Sequence, residues 1–315
     1  MNSFYETNLK LYSEKSQPKI CIISDIHFSY RVKSKKLENL AKLLRAKNPD
    51  YIFIPGDLID SVDMIKEELE RERLLDWLKS LGEIATVIIS KGNHDNYKKR
   101  HIGLFMSKWS ETKNTKFEND INKIKNVHYL DNSFFKDKKI YVLGLTLSND
   151  YYSGPNKESA EKFLRDLKNI DQNLINTPKE KLCFALIHSP HQLTNKKIRS
   201  KLKNFDYLIS GHMHNGLVLP FLDKIWPSDR GLINAQKQFF AKNTRLSSKT
   251  LKHNLIISGA IATWHESTGI FHNLNILYPT CFTTLDFTTD KKFKNPKITK
   301  NITSSNHNHY DIINS

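Results

Sequence analysis

The chain of 315 residues is 38% hydrophobic and 10% aromatic, too apolar for a disordered chain and long enough to bury a sizeable core. Its formal net charge of +16, from 49 Lys and Arg against 33 Asp and Glu, invites a polyanionic ligand or an anionic membrane surface. The uncharged apolar stretch at residues 254–263 is far short of the ~20 residues a spanning helix needs, and no transmembrane segment is read in the sequence.

The first nineteen residues, MNSFYETNLKLYSEKSQPK, carry neither an apolar h-region nor a small-residue cleavage site, so a cytoplasmic setting is expected. In chain order, short apolar runs follow, each ending in polar punctuation. They are KICIIS to Ser24, YIFIP to Pro55, ATVIIS to Ser90, IYVLGL to Leu145, LCFALI to Ile187, DYLIS to Ser210 and NLIIS to Ser258. Continuous runs of this length predict strands buried on both faces. Between them, Leu37, Leu40, Leu43 and Leu44 share one helical face before Asn48-Pro49. Ile65, Leu69, Leu74, Leu78 and Leu81 do so before Gly82, and Ala160, Phe163, Leu164 and Leu167 predict a third helix. This strand-helix alternation gives an α/β class.

Two polar stretches, Tyr97 to Asn126 and Pro220 to Thr250, read as long loops near strand ends. With no repeat and no linker, one domain is expected over residues 1–290, with a weakly ordered polar tail at 291–315. Cys21, Cys183 and Cys281 sit singly in apolar runs without C-x-x-C spacing and read as reduced core residues. Lysines dominate the basic residues, and no basic run is interleaved with aromatics in the way that tracks a single strand. The charge therefore reads first as a solvated surface. Attraction to nucleic acid, or peripheral contact with a membrane, is the competing expectation, and no obligate protein partner is readable.

The residues just after the strands carry the chemistry. The first run ends in Asp25-Ile-His27, the second in Gly56-Asp57 and the third in Gly92-Asn93-His94-Asp95. The fifth ends in His188 and the sixth in Gly211-His212-Met-His214. Open α/β sheets bind ligands at this edge. Any one of these triplets arises by chance, and a lone His is more often a hydrogen-bonded core or surface residue than a ligand; the ordered set is not accidental. Two divalent cations ~3.5–4 Å apart can clamp a phosphoryl group if a carboxylate bridges them. Neutral imidazoles and hard oxygens, in place of thiolates, suit Mn, Fe, Zn, Ni or Co.

D-x-H, then G-D, then G-N-H-D, a lone His and G-H-x-H is the motif order of the calcineurin-like metallophosphoesterase superfamily, which the chain resembles over about residues 20 to 290. The resemblance implies a four-layer α/β/β/α sandwich. It implies Asp25, His27 and His214 on one metal, Asn93, His188 and His212 on the other, and Asp57 bridging both. A metal-bound hydroxide would be the nucleophile, and His94 would contact the leaving group or phosphate, oriented by Asp95. The segment GHMHNGLVLP is similar to the GHTHGGQ segment of a bacterial phosphoesterase branch. The phosphate-gripping Arg of the GDxxDRG phosphatases is missing, because GDLID runs on into Ser61-Val62. Asp60 stands where purple acid phosphatases carry a Tyr ligand, which argues against a tyrosinate-iron site.

The expected function is hydrolysis of phosphomonoesters or phosphodiesters, with a nucleotide or lipid headgroup within range. A nuclease and a catalytically silent metal-binding scaffold are the alternatives, separated by salt dependence and by metal content. Trp264, His265 and Glu266 either line the cleft or pack as a loop on the sheet edge. His191 is expected outside the ligand set, and His101, His128, His253 and His272 are read as structural.

Overall fold

The computed structural model describes residues 3–101, 107–112, 115–153, 159–216, 230–231, 242–262, 280–304 and 310–311. In chain order the elements are β1 (Ser3–Tyr12), β2 (Lys19–Ile22), α1 (Ser34–Lys47), β3 (Tyr51–Pro55), α2 (Glu68–Gly82) and β4 (Thr86–Ser90). Next come β5 (Tyr97–His101), β6 (Ser107–Glu111), α3 (Thr115–Asn122), β7 (Val127–Leu130), β8 (Ser133–Lys136), β9 (Ile140–Leu145), α4 (Asn149–Ser153) and α5 (Ala160–Asn169). The remainder are β10 (Leu182–Ile187), α6 (Lys196–Lys201), β11 (Tyr207–Ser210), α7 (Ser248–Leu251), β12 (Leu255–Ile257), β13 (Cys281–Thr288), β14 (Ile298–Ser304) and β15 (Tyr310–Asp311). All seven predicted strands are present.

They divide between two sheets. One has the order β15-β14-β1-β13-β2-β3-β4-β7, the other β12-β11-β10-β9-β8, and β5 pairs with β6 separately. The strands that lead to the motifs are parallel: β2 with β3, β3 with β4, β9 with β10 and β10 with β11. Side chains alternate across a strand, so each run feeds two cores. Ile20, Ile22, Phe53 and Ile88 of the large sheet join Val142, Phe184, Leu186 and Ile209 of the small one in a core between the sheets. Cys21, Ile23, Ile52, Ile54, Val87 and Ile89 point the other way and pack with Leu40 and Leu44 of α1 and Leu78 and Leu81 of α2. On the far side, Leu143, Leu145, Ala185 and Ile187 pack with Phe163 and Leu167 of α5 and Ile198 of α6. The result is helix, sheet, sheet, helix: the four layers that the resemblance implies.

Helix ends follow local chemistry. α1 stops where Asn48 takes a left-handed φ of 48° and its N–H bonds to the Arg45 carbonyl at 3.0 Å. α5 starts at Ser159, whose hydroxyl accepts the Lys162 N–H at 3.3 Å. α2 departs from the expected face. Ile65 lies ahead of the helix and Leu69 is 76% exposed, while Leu74, Trp77, Leu78 and Leu81 do the burying.

Three loop readings are corrected. Tyr97 to Asn126 contains the β5–β6 ribbon and α3, the latter anchored by buried Phe117 and Ile121. Within Pro220 to Thr250 the described residues include the start of α7, capped by reciprocal Ser247 and Thr250 hydrogen bonds. The polar stretch after Phe287 holds β14, which pairs antiparallel with β1 along Ser3 to Leu9. β1 itself also pairs in parallel with β13.

Candidate metal centre

The C-terminal ends of β2, β3 and β4 from one sheet meet those of β10 and β11 from the other, so the motifs converge from two sheets and not from one edge. Five of the seven predicted ligands turn sharply there through left-handed backbone: Asp25 (φ 50°), His27 (45°), Asp57 (53°), His212 (68°) and His214 (48°). Such conformations cost about 1–3 kcal/mol each in a non-glycine residue, and they cluster where function over-determines them. Hydrogen bonds hold them. The His212 N–H donates to both Asp25 carboxylate oxygens at 3.0 and 2.9 Å, and the His27 N–H donates to the Asp57 carbonyl at 3.1 Å. Two glycines let the loops approach: a Cβ on Gly92 would strike the Asp57 carboxylate, and one on Gly211 would strike Ser24 Oγ and the Asp25 carboxylate.

Donor atoms then fall into three groups, each spanning less than 4.8 Å: Asp25, His27 and His214; His27, Asp57 and His94; and Asp57, His188 and His212. The His27 and His214 Nε2 atoms face each other at 3.0 Å, and His188 Nε2 faces His212 Nδ1 at 3.2 Å. At that spacing the two ring nitrogens of a pair can share a proton or turn their lone pairs to one cation. Asn93 Oδ1 is buried without a hydrogen-bond partner, which suits a further ligand. His188 Nδ1 donates to the Pro55 carbonyl at 2.8 Å, which turns its Nε2 toward Asp57 Oδ2 at 3.0 Å. The buried residues therefore fit divalent metal ions: carboxylate, carboxamide and imidazole donors, with the three cysteines buried elsewhere.

The charges agree with this. Burial alone would raise Asp25 and Asp57, yet His214 and His188 hold Asp25 well below the usual carboxylate range, and His188 and His94 do the same for Asp57. Burial opposes charge on His188, but Asp57 and Asp25 overcome it and push its pKa up to about 10.

The printed contacts of Asp95 are to backbone, not to His94. Its carboxylate accepts the Gly92 N–H at 2.7 Å and the Ile59 N–H at 3.1 Å, bracing the loop, and burial with the charge of Asp57 pushes its pKa up to about 6. The His94 Nδ1–H instead donates to the Asp60 carbonyl at 2.7 Å, with the Asp60 carboxylate 3.8 Å away. That carboxylate also lies 3.6 Å from His27 Nδ1. Asp60 is thus the residue sequence reasoning undervalued, and its place in G-D-x-x-D was the available signal. Tyr152 of α4 was missed as well; its ring lies 5.5 Å from that of His212 and 6.5 Å from that of His188.

Of the other histidines, His191 sits 6.4 Å ring to ring from His212, His128 packs on Phe135, and His253 is exposed. The side chains of Trp264, His265, Glu266, His272 and His101 lie outside the described residues. Among the described residues no helix is long and apolar enough to cross a membrane.

Four α/β/β/α layers with oxygen and imidazole donors at converging strand ends define a metallohydrolase-type centre. Residues 18–216 match the profile of the calcineurin-like phosphoesterases, and the chain belongs to that family. It is 23% identical over 257 residues to the metallophosphoesterase Cj0846 of Campylobacter jejuni, across 82% of this chain and 57% of that protein. It is also 23% identical over 219 residues to a metallophosphoesterase of Helicobacter pylori, across 69% and 50%. The chain thus spans about half the length of these relatives. Among solved structures, a nuclease of Pseudomonas putida aligns over 64% of each chain at 16% identity and a TM-score of 0.31. A phosphoesterase of E. coli aligns at 16% identity and a TM-score of 0.27, over 64% of this chain and 72% of that one.

Proposed function

We propose that the protein hydrolyses phosphoester bonds, in monoesters or diesters, at a two-metal centre. Asp25, His27 and His214 would hold one cation and Asn93, His188 and His212 the other, with the Asp57 carboxylate available to both. The observation that carries this reading is the sharing of Asp57: its carboxylate belongs to one donor group with His27 and His94 and to another with His188 and His212. When bound, the cations supply positive charge to the phosphoryl oxygens and an activated water.

The chain's own residues do the rest. His94, at 17% side-chain exposure, is more open than Asp25, Asp57 or His188 and is the one a substrate reaches most readily. With Nδ1–H committed to the Asp60 carbonyl, Nε2 is the atom placed to protonate the departing alkoxide. Tyr152 walls the side of the centre formed by His188 and His212. A cytoplasmic setting belongs to the proposal, supported by three cysteines kept as buried thiols.

The test is one panel, with Mn added: p-nitrophenyl phosphate, its bis ester, cyclic nucleotides and phospholipids. Turnover of at least one class, abolished by Asp57→Ala, is expected. No turnover of any member with a fully metallated protein would favour the silent scaffold.

A further inference from the structure

We propose that the protein docks on anionic membrane surfaces through the end of its large sheet remote from the metal centre, which leaves the centre open to solution. The strand register fixes where that end lies. Lys10 of β1 is level with Asp286 of β13, and Asp286 is level with Lys19, the first residue of β2. From Lys19 the chain runs six residues on to Asp25 of the candidate centre, roughly 20 Å at 3.3 Å per residue. β13 leaves the sheet at the Lys10 end, and after the 3₁₀ turn Lys291–Lys294 the chain returns there as β14, whose Ile298 is level with Leu9.

Cations gather at this corner. Between residues 290 and 300 a single carboxylate, Asp290, stands against Lys291, Lys292, Lys294, Lys297 and Lys300, all of them exposed. Asp290 lies 2.7 Å from Lys292, yet the Lys292 side chain stays 69% exposed. Exposed Lys10 joins them from β1. Its Nζ lies 5.6 Å from the centre of the Phe293 ring, that of Lys292 lies 5.0 Å from the same ring, and that of Lys294 lies 5.0 Å from the centre of the Tyr12 ring. The two rings thus draw ammonium groups from distant parts of the chain into one cluster. Of the other carboxylates at this end, Glu14 accepts the Tyr12 hydroxyl and Asp286 lies 3.9 Å from Lys19.

The cluster does not serve the metal centre. At roughly 20 Å it stands more than two screening lengths away at physiological ionic strength, where the Debye length is about 8 Å, so its charge neither attracts nor disturbs a phosphate held there. Its chemistry fits a plane of anionic headgroups. Every cation is a lysine, a point charge without the guanidinium fork that reads single phosphates in pairs. Both rings are engaged by ammonium groups and are not held out for bases to stack on. The exposed large hydrophobic residues among those described, Tyr30, Leu69 and Phe134, belong to other parts of the molecule. Attachment is therefore electrostatic, without an inserted anchor, and salt reverses it.

The experiment is co-sedimentation of the Mn-loaded full chain with phosphatidylcholine vesicles, with and without phosphatidylglycerol, across a salt series. The wild type should bind only the anionic vesicles and come off as salt rises. A lysine near an anionic surface is worth about fivefold in partitioning, so Lys292→Gln should weaken binding about fivefold and K10Q/K292Q/K294Q/K297Q by at least about 100-fold. The control K33Q/K42Q/K196Q/K197Q removes four exposed lysines on or beside α1 and α6 and should lose no more than about fivefold. Equal losses in the two quadruple variants, no binding to anionic vesicles at low salt, equal binding to neutral ones, or attachment that salt does not reverse would overturn the inference. So would cluster-dependent binding of a single-stranded oligonucleotide with none to vesicles. Saturating anionic vesicles should leave turnover of bis-p-nitrophenyl phosphate unchanged, because the centre faces solution, and inhibition by them would overturn that orientation. If the wild type turns over no ester while the vesicle results hold, the fault lies with the phosphoesterase reading and the docking surface stands.

Discussion

Replacing His94 with Ala separates proton donation from metal binding. No predicted ligand is removed, and the backbone N–H of residue 94 still donates to Asp57 Oδ1, a contact of 2.8 Å in the wild type. What is lost is the imidazole fixed by Asp60. General acid catalysis contributes about 10²–10⁴ in rate, or roughly 2.7–5.5 kcal/mol of barrier. Burial pulls the His94 pKa below its ordinary value, and His27 adds to the pull, against the attraction of Asp57 and Asp60. The acid form is therefore lost earlier as pH rises than in an exposed histidine. The advantage of the wild type over His94→Ala should be largest below that depressed pKa and shrink as pH rises through it. At neutral pH the loss should sit near the lower limit, about 10² in kcat. The assay is a series of phosphodiesters with leaving groups from p-nitrophenol to simple alcohols, with metal content measured in parallel. The defect should be greatest for alkyl leaving groups and small for p-nitrophenol. Equal defects across the series, or metal lost in step with activity, would refute the assignment.

Two further outcomes follow from buried charge. In the metal-free protein His188 has a pKa of about 10, above its unfolded value of about 6.5, so its contribution to stability is full below about 6.5 and is lost as pH rises through about 10. Metal uptake must expel that proton. Calorimetry at pH 7–8 in buffers of different ionisation heats should report about one proton released, and affinity should rise about tenfold per pH unit in that range; a binding heat independent of buffer would sink this. Lys91, 3% exposed, lies 2.7 Å from both Glu118 and Asp131 and clamps the Gly92–Asn93 loop to α3 and to the turn after β7. Asp131 is exposed and can rehydrate, so Lys91→Met should cost about 2–3 kcal/mol in urea unfolding, short of the loss for a fully buried pair. A loss under about 0.5 kcal/mol would show the clamp to be idle.

The sequence made legible whatever was local and dense. Runs such as YIFIP and LCFALI are buried on both faces, so they read as strands, and the polar residues directly after them read as ligands. β1 was silent because SFYETNLKLY mixes polar and apolar residues; its place depends on partners 276 residues away in β13 and 289–301 residues away in β14. The backbone contacts of Asp95 were illegible for a similar reason. Adjacency in Gly-Asn-His-Asp suggested contact with His94, whereas the turn aims Asp95 at backbone amides and brings Asp60, 34 residues earlier, to the imidazole. The convergence of the motifs from two sheets likewise exists only after chain segments pair.

The centre itself is tested most directly by counting metal. After incubation with Mn and removal of unbound ions, elemental analysis of the wild type should give two ions per chain, and Asp57→Ala, which removes the shared carboxylate, should give far less at both positions. A wild-type protein holding no more metal than Asp57→Ala would contradict the account.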